Sequence, residues 1–421
     1  MTLVFTGGRF LLPEGVRTGL ALVVRDGRIE AVVPEAEAPE GVRVDAGGQY
    51  VSPGFIDLHV HGGWGHDFLD GTVEAYLEPA RRHARHGTTA MAPSLATASF
   101  ADYERAVRAY REALPLNTGR AQFLGLHFEG PFFAPSKAGA QDPARLKQPA
   151  PEEYLPMLEA FPEIVRISAA PELAGAFGLG DELRRRGIVA AIAHTDASCA
   201  CCEEAFRHGY SLMTHFYCAM STVAKRGYSR YAGAVEAGYL QDFDIEVIAD
   251  GVHLPDDLLR LVYRIKGADR VTLCTDAIRA TGLPDGEYIQ GSLENGLKFV
   301  VEDGVALRPD RGGLAGSVAT TDRLVRTMAR AIARTPDAAA DPAAGLSIGT
   351  TGSPDTVADT PDLTAGIPDA VRMMTATPAR VLGLPAKGRL APGCDADIVL
   401  FDDNVRISRV FIGGKEIPQE A

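Results

Sequence analysis

The sequence predicts an α/β fold, a (β/α)₈ barrel of the TIM type with a small β-sandwich formed from both chain ends. Two observations indicate the barrel: eight short apolar runs recur through the middle of the 421-residue chain, and amphipathic stretches separate most of them. A third observation indicates the sandwich, because short strand patterns with glycine turns occupy both ends of the chain.

The predicted organisation has three parts. Residues 1–53 supply the first part of the sandwich, residues 54–385 form the barrel, and residues 386–421 return to complete the sandwich. The junctions are predicted at Pro53-Gly54 and at Pro385–Gly388. The strand patterns that indicate the sandwich are Leu20–Val24, Ile29–Val33, Ala396–Phe401 and Arg409–Gly414.

The barrel prediction depends on eight candidate strands. They are Phe55–Leu58, Thr88–Ala92, Phe123–Leu126, Ile164–Ala169, Ile188–Ile192, Leu212–Thr214, Ile245–Ala249 and Val271–Cys274. Tyr103–Tyr110 and Asp257–Val262 are examples of the amphipathic helices predicted between them. In such a barrel, catalytic residues gather at the C-terminal ends of the strands.

Two segments depart from this alternation. Asp285–Arg311 carries turn signals at Asn295-Gly296 and Asp303-Gly304 and is predicted to form a β-hairpin excursion. Residues 335–364 show no apolar period and are interpreted as a mobile surface insertion without a chemical role. Cys199, Cys201 and Cys202 could bind a soft metal, but a helix that opens with small residues is the favoured interpretation, since no second thiol pair accompanies them.

Composition restricts the partners of the protein. The net charge of -13 argues against nucleic acid or an anionic membrane surface as the main partner, although a few local arginines can still attract an anionic substrate. No apolar run is long enough to span a bilayer, and the first residues show no signal-peptide pattern. A cytoplasmic location is therefore expected.

Ligand-type residues follow five of the apolar runs, which indicates a catalytic metal site. These residues are His59 and His61, Glu129, His194, His215 and Asp276. Alternate residues of a strand point the same way, so His59 and His61 can reach one ion. Glu129 could bind one metal or bridge two. Imidazole and carboxylate ligands suit zinc or iron, and one or two divalent ions per chain are expected.

Two further residues near the predicted site have distinct chemistry. Asp276, on the last strand, can take a proton from the attacking water and pass it to a leaving amine. His253 lies a few residues beyond the seventh strand, where it could hold a carbonyl or hydroxyl of the substrate.

Motifs over nearly the whole chain resemble the amidohydrolase superfamily and, within it, the N-acetylglucosamine-6-phosphate deacetylases. The motifs are Ser52–Asp57, Leu126–Pro131, Ala170–Glu172, Thr214–Tyr217, Ile248–His253, Thr275–Ala277 and Leu314–Ser317. The resemblance implies a metal held by Glu129, His194 and His215, with Asp276 as the acid/base. His59 and His61 further imply the two-metal type, in which Glu129 bridges the ions.

The same resemblance implies how a sugar phosphate is recognised. It places the backbone amides of Cys218 and Ala219, with Arg226 or Arg230, on the phosphate across a homodimer. Cys218 stands where the family usually has asparagine, and residues 226–230 depart from its R-E-P-G element. The residues implied to line the sugar pocket are Ala140, His253, Leu314, Ala315 and Gly316.

These observations predict hydrolysis of the N-acetyl amide of an amino sugar, with N-acetylglucosamine 6-phosphate as the expected substrate. One alternative is a deacylase of the same mechanism that acts on another N-acyl sugar or amino compound. Another is a non-catalytic barrel that serves as a binding protein. A dihydroorotase or dihydropyrimidinase is disfavoured, because no strand-end lysine offers the carbamylated bridge of those relatives.

Overall fold

The structure, a computed structural model, describes residues 1–333 and 362–418. Its central feature is a sheet of parallel strands that follow one another around a barrel in chain order. The barrel strands are Phe55–Val60, Thr88–Leu95, Gln122–Phe123 with Leu126–Glu129, Ile164–Ala169, Val189–Ile192, Tyr210–Met213, Asp244–Val247 and Val271–Leu273. The barrel prediction is confirmed. Most of the predicted insertion at 335–364 lies outside the described residues.

The third barrel strand differs from its prediction, because it is broken at Leu124 and Gly125. Gly125 has φ = 114°, a conformation that a β-strand cannot continue through. The first piece, Gln122–Phe123, pairs with the second barrel strand, and the second piece, Leu126–Glu129, pairs with the strands on both sides. The second piece extends beyond the predicted end at Leu126, and Glu129 is its last residue.

The barrel closes between its first strand and the segment that follows its last. The amide of Asp276 donates to the carbonyl of His59 at 2.8 Å, and the amide of His61 donates to the carbonyl of Ala277 at the same distance. A further bridge joins Ala277 to Ser317. These closing bonds bring the predicted ligands of the first and last strands side by side.

Helices cover the outside of the barrel. They are Val73–Arg85, Phe100–Ala113, Pro151–Ala160, Ala176–Arg186, Cys199–Arg207, Ala234–Leu240, Asp256–Lys266, Thr321–Ala333, Ile367–Met374 and Ala376–Val381. The cysteine cluster opens one of them, as favoured: the Ser198 hydroxyl caps this helix by accepting from the amide of Cys201. None of the described helices combines the length and the apolar character that crossing a bilayer requires.

Strands from both chain ends form two further sheets, as predicted. One contains Arg28–Pro34, Leu20–Arg25, Thr2–Thr6 and Val42–Asp45, in that order. The other runs Lys415–Glu416, Ile407–Ile412, Ile398–Phe401, Tyr50–Pro53, Arg9–Leu12 and Gly15–Arg17. One apolar cluster unites residues of both ends, including Phe5, Phe10, Ile398 and Phe411. The proposed part boundaries at residues 53 and 385 stay predictions.

The excursion at Asp285–Arg311 forms a three-stranded antiparallel sheet instead of a single hairpin. Its strands are Gly286–Gln290, Leu297–Glu302 and Val305–Leu307. Phe299, Val301 and Ala306 bury one face of it against Ile278, which follows the last barrel strand. The sheet therefore stands beside the C-terminal mouth of the barrel.

Candidate active site

The predicted ligand residues converge at the C-terminal mouth of the barrel. His59 and His61 lie at the end of the first strand, and Glu129 ends the third. His194 lies two residues after the fifth strand, His215 lies two residues after the sixth, and Asp276 lies three residues after the eighth. Each of these residues is at most 9% exposed. The structure brings together all six residues that the sequence placed at the ends of five different strands.

Glu129 stands between two pairs of histidines. Its Oε1 atom lies 3.2 Å from Nε2 of His194 and 3.0 Å from Nε2 of His215. Its Oε2 atom lies 3.1 Å from Nε2 of His61 and 3.7 Å from Nε2 of His59. Each carboxylate oxygen thus faces a different pair, which is the arrangement of a carboxylate that bridges two ions.

Asp276 faces only the first-strand pair of histidines. Its Oδ1 atom lies 3.5 Å from Nε2 of His59 and 3.3 Å from Nε2 of His61. The two histidine nitrogens are themselves 3.1 Å apart. Two atoms that each lie about 2.1 Å from a tetrahedral ion are separated by roughly 3.4 Å, so these spacings suit ligands of a common ion.

Hydrogen bonds on the far side of the rings show that the residues fit a metal. Nδ1 of His61 lies 3.1 Å from the carbonyl of Ser94, and Nδ1 of His194 lies 2.7 Å from the carbonyl of Lys137. A carbonyl can only accept, so both Nδ1 atoms carry protons, and the lone pairs available to a metal are those of the Nε2 atoms. Those lone pairs face the oxygens of Glu129, which is favourable when a cation lies between them.

The charges of the cluster lead to the same conclusion. Burial lowers the pKa of His59, but the nearby carboxylates of Glu129 and Asp276 overcome it and raise that pKa to about 9. Burial also opposes ionisation of Asp276, yet His59 and His61 hold its pKa below the usual value. The two carboxylates therefore attract positive charge into a buried site, and divalent ions supply such charge.

A buried ion pair beneath the cluster was not predicted from the sequence. Arg166 and Glu246 form it with both side chains fully buried. Oε1 of Glu246 accepts from Nδ1 of His59 at 3.0 Å and from the backbone amide of His215 at 3.3 Å. Arg166 also donates to the hydroxyl of Thr214 at 2.8 Å. Glu246 thus positions one histidine of each pair. The sequence feature that could have revealed this pair is the presence of one charged residue inside each of two otherwise apolar strands.

Replacing Glu246 by glutamine is expected to weaken one ion position more than the other. A carboxylate that accepts from a ligating histidine raises its basicity, and removing such a partner costs about 10- to 100-fold in metal affinity. The neutral amide of Glu246→Gln can still accept from His59 but does not supply the charge. Titration against a chromophoric chelator should show about tenfold weaker binding at the position of His59 and His61.

The same substitution at Glu163, a partly exposed residue paired with Arg111, serves as the control and should leave both dissociation constants unchanged. Equal weakening at both positions would show general destabilisation instead. Dissociation constants within twofold of the unsubstituted protein at both positions would rule out the positioning role of Glu246.

The cluster opens into a cavity of about 370 Å³. Besides four of the ligand residues, its lining includes six residues that were predicted to contact substrate: Ala140, Cys218, Ala219, His253, Leu314 and Gly316. Ala315 was expected there too, but it is 1% exposed and packs into the apolar cluster of the three-stranded sheet. Residues that the sequence did not single out also line the cavity: Ser136, Lys137, Gly139, Gln141, Ile248, Gln290, Arg308, Gly312 and Gly313.

Arg226 and Arg230 lie outside this cavity. They lie on opposite strands of an antiparallel hairpin, Ala224–Arg226 and Ser229–Tyr231, and both are exposed. Tyr228 at the tip is 97% exposed. The chain's own cavity therefore does not include the predicted phosphate arginines, and their contribution across a dimer stays a prediction.

His253 lies in the cavity wall in a fixed orientation. Its Nδ1 atom is 2.8 Å from Oδ2 of Asp250, whose other oxygen accepts from the backbone amides of Val252 and His253. Burial lowers the pKa of His253, but the hydrogen bond and charge of Asp250 raise it above the usual value. This favours a ring that can donate from Nε2 to an oxygen of a bound molecule.

Three of the ligand residues have a left-handed backbone, which side chains other than glycine rarely adopt. The φ angles are 46° for His194, 28° for His215 and 47° for Asp276. Each residue turns the chain sharply just after a strand ends, so that its side chain enters the mouth. Such conformations cluster at functional sites, where the surrounding structure holds them.

Comparison with known proteins agrees with this geometry. Residues 50–417 match the model of the amidohydrolase family. The chain is 30% identical to the N-acetylglucosamine-6-phosphate deacetylase of Lysinibacillus sphaericus, over 93% of this chain and 92% of the relative. It is 28% identical to the N-acetylgalactosamine-6-phosphate deacetylase of Escherichia coli O157:H7, over 99% of both chains. The crystal structure of the N-acetyl-D-glucosamine-6-phosphate deacetylase of Mycobacterium smegmatis superposes with a TM-score of 0.84 at 28% identity, covering 99% of this chain and 100% of the other.

Proposed function

The chain belongs to the amidohydrolase family, and on that premise we propose that it hydrolyses the N-acetyl amide of an amino-sugar phosphate. The expected reaction converts N-acetylglucosamine 6-phosphate and water into glucosamine 6-phosphate and acetate. The observation that carries the proposal is a buried cluster of two histidine pairs, a glutamate between them and a further aspartate, which opens into the cavity. The names of the relatives supply the N-acetyl amino-sugar phosphate as the substrate class.

Two groups of ligand atoms would hold the ions. One consists of His59, His61 and Glu129, and the other of Glu129, His194 and His215. Asp276 lies beside the first group. Zinc and iron both accept this set of nitrogen and oxygen donors. When bound, the ions would polarise the amide carbonyl and lower the pKa of the attacking water.

Asp276 performs the proton transfers in this proposal. Its carboxylate is ionised, because His59 and His61 keep its pKa low despite burial. It can therefore accept a proton from the water that attacks the carbonyl carbon. The same proton then passes to the amine nitrogen as the carbon–nitrogen bond breaks, which makes the amine a better leaving group.

Two neighbouring residues keep the substrate and the bridging carboxylate in place. Gln141 donates to Oε2 of Glu129 at 2.6 Å and so limits rotation of that carboxylate. His253, held by Asp250, offers Nε2 to a carbonyl or hydroxyl oxygen of the sugar. Fixed donors of this kind orient the acetyl group toward the reacting centre.

The alternative enzyme is a deacylase that acts by the same residues on another N-acyl sugar or amino compound. This alternative is retained because the sequence departs from the family pattern at Cys218 and at residues 226–230. A non-catalytic binding barrel is disfavoured, because every predicted ligand is present and in place at the cluster.

A homodimer is part of the proposal. The hairpin of Arg226 and Arg230 projects exposed side chains, including Tyr228, into solvent. A partner chain could receive this hairpin at the mouth of its own cavity. A cytoplasmic location stays the expectation from the sequence.

The test compares acetate release from N-acetylglucosamine 6-phosphate and from N-acetylglucosamine by the metal-loaded protein. We expect turnover of both, with kcat/KM for the phosphorylated sugar higher by about tenfold or more, since one charge-assisted contact contributes at least that factor. Protein stripped with a chelator is the control and should release no acetate. Failure to release acetate from either sugar by metal-loaded protein would contradict the proposed function.

A further inference from the structure

The carboxylate of Glu172 supports the turn that carries His194. Glu172 is the third residue after the fourth barrel strand and ends the motif Ala170–Glu172. Its Oε2 atom accepts from the hydroxyl of Thr195 at 2.5 Å, and its Oε1 atom accepts from the backbone amide of Asp196 at 2.6 Å. A carboxylate binds such donors more strongly than a neutral acceptor does. Glu172 therefore holds the two residues that directly follow His194.

The backbone of His194 depends on such support, because it is left-handed. Its φ angle is 46°, and residues with a side chain keep this conformation only where the surrounding structure holds it. The imidazole ring has a separate partner, since Nδ1 of His194 donates to the carbonyl of Lys137 at 2.7 Å. That bond limits rotation of the ring, whereas Glu172 fixes the chain from which the ring projects. The direction of Nε2 therefore depends on both contacts.

Thr195 links this turn to the loop that follows His215. Its backbone amide donates to the carbonyl of Ala219 at 3.0 Å, and its carbonyl accepts from the amide of Ser221 at 2.9 Å. Thr195 is fully buried, so it has little room to shift without moving its neighbours. A change at the Glu172 carboxylate would therefore reach the segments behind both histidines of the second pair.

The first-strand pair of histidines depends on other contacts. Nδ1 of His59 donates to the carboxylate of Glu246, and Nδ1 of His61 donates to the carbonyl of Ser94. Within the part of the chain that the structure describes, the hydrogen bonds of the Glu172 side chain lead only to the second pair. Glu172 should therefore influence one ion position and not the other.

We propose that Glu172 is a positioning residue that sets the metal affinity at the position of His194 and His215. The inference deepens the proposed function and rests on it, because it concerns the ions that the cluster would hold. Glu172 is not itself a ligand and acts through Thr195 and the backbone of His194. A ligand nitrogen that already points at the ion position loses less conformational freedom when the ion binds.

The experiment replaces Glu172 by glutamine and measures both metal dissociation constants against a chromophoric chelator. The amide of Glu172→Gln can accept from one donor but presents an NH₂ group to the other. Removing a direct hydrogen-bond partner of a metal ligand costs about 10- to 100-fold in affinity, and Glu172 acts one residue away. We therefore expect about tenfold weaker binding at the position of His194 and His215, and a change below about twofold at the other position.

A second titration assigns the weakened position. The double variant His59→Ala, His61→Ala keeps only the position of His194 and His215. Adding Glu172→Gln to this double variant should weaken its remaining ion by the same factor of about ten, because the residues that hold this ion are unchanged.

Glu236→Gln is the matched control. The carboxylate of Glu236 also accepts from one threonine hydroxyl and one backbone amide, those of Thr222 and Gly233. Neither donor is adjacent to a ligand residue in the chain. This variant loses the same kind of hydrogen bond, and both of its metal dissociation constants should match those of the unsubstituted protein.

Two substitutions at Thr195 test the contact from its other side. Thr195→Ser keeps the hydroxyl that donates to Glu172 and should bind both ions as the unsubstituted protein does. Thr195→Val keeps the shape of the side chain but removes the hydroxyl. It should weaken the same position as Glu172→Gln, and the two substitutions together should weaken that position little more than either alone, since both remove one interaction.

Two results of the titrations would overturn the proposal. One is a pair of dissociation constants in Glu172→Gln that both lie within twofold of the unsubstituted values. The other is equal weakening at both positions, accompanied by a lower Tm of the metal-free protein, because Glu172 would then support the fold in general. The titrations do not need turnover. If the metal-loaded protein hydrolyses neither acetylated sugar, the proposed function is wrong, but the metal affinities still decide the role of Glu172.

Discussion

Asp276→Asn is expected to lower kcat by about a thousandfold while the fold and most of the bound metal remain. The substituted amide keeps the size of the side chain but cannot accept and return a proton. Loss of a positioned general acid/base costs about 10²- to 10⁴-fold, and the weakened contact at the position of His59 and His61 adds to it. Acetate release and metal content, measured on the same preparation, check this result.

Asp269→Asn provides the control, because Asp269 is an exposed partner of Arg372 away from the cluster. Its activity should match that of the unsubstituted protein. Turnover of Asp276→Asn within a few-fold of the unsubstituted protein would mean that another group moves the proton. Complete loss of metal in Asp276→Asn would instead make it a ligand first and an acid/base second.

Glu129→Gln is expected to remove activity by at least about a thousandfold and to lower metal binding at both positions. Its two carboxylate oxygens each face one histidine pair, so the neutral amide removes the shared charge and presents an NH₂ group to one pair. Without the ions, the carbonyl is not polarised and the water keeps a high pKa. Metal content per chain and acetate release are the measurements.

Glu203→Gln, on the helix that follows His194, is the control for this substitution. It should retain both ions and full activity. A carboxylate that bridges two ions contributes to both positions, so its replacement should weaken both. If Glu129→Gln loses ions from one position only, the bridging assignment is contradicted, and Glu129 binds a single ion.

The barrel and its ligands were predictable because they depend on local patterns. The predicted strand Ile164–Ala169, for example, has the same bounds in the structure. The two-residue period of a strand predicts that the side chains of His59 and His61 point the same way. In a barrel, ligand-type residues at strand ends meet at one mouth regardless of their separation in sequence. The resemblance to the deacetylases is confirmed by the relatives that match nearly the whole chain.

What the sequence did not predict depends on contacts between distant segments. Arg166 and Glu246 are 80 residues apart and lie on strands that a one-dimensional pattern treats as apolar. Histidine and aspartate adopt a left-handed backbone more often than most residues, but the sequence does not show that His194, His215 and Asp276 are the positions at which the chain turns in this way. Arg308 reaches the cavity only because its sheet packs beside the barrel mouth.

We propose that the residues at the barrel mouth hold two ions bridged by Glu129. Metal analysis of the fully loaded protein tests it most directly, with the double variant His59→Ala, His61→Ala analysed in parallel. We expect about two ions per chain, falling to about one in the double variant, because His194, His215 and Glu129 retain theirs. One ion per chain in the unsubstituted protein, unchanged in the double variant, would contradict it.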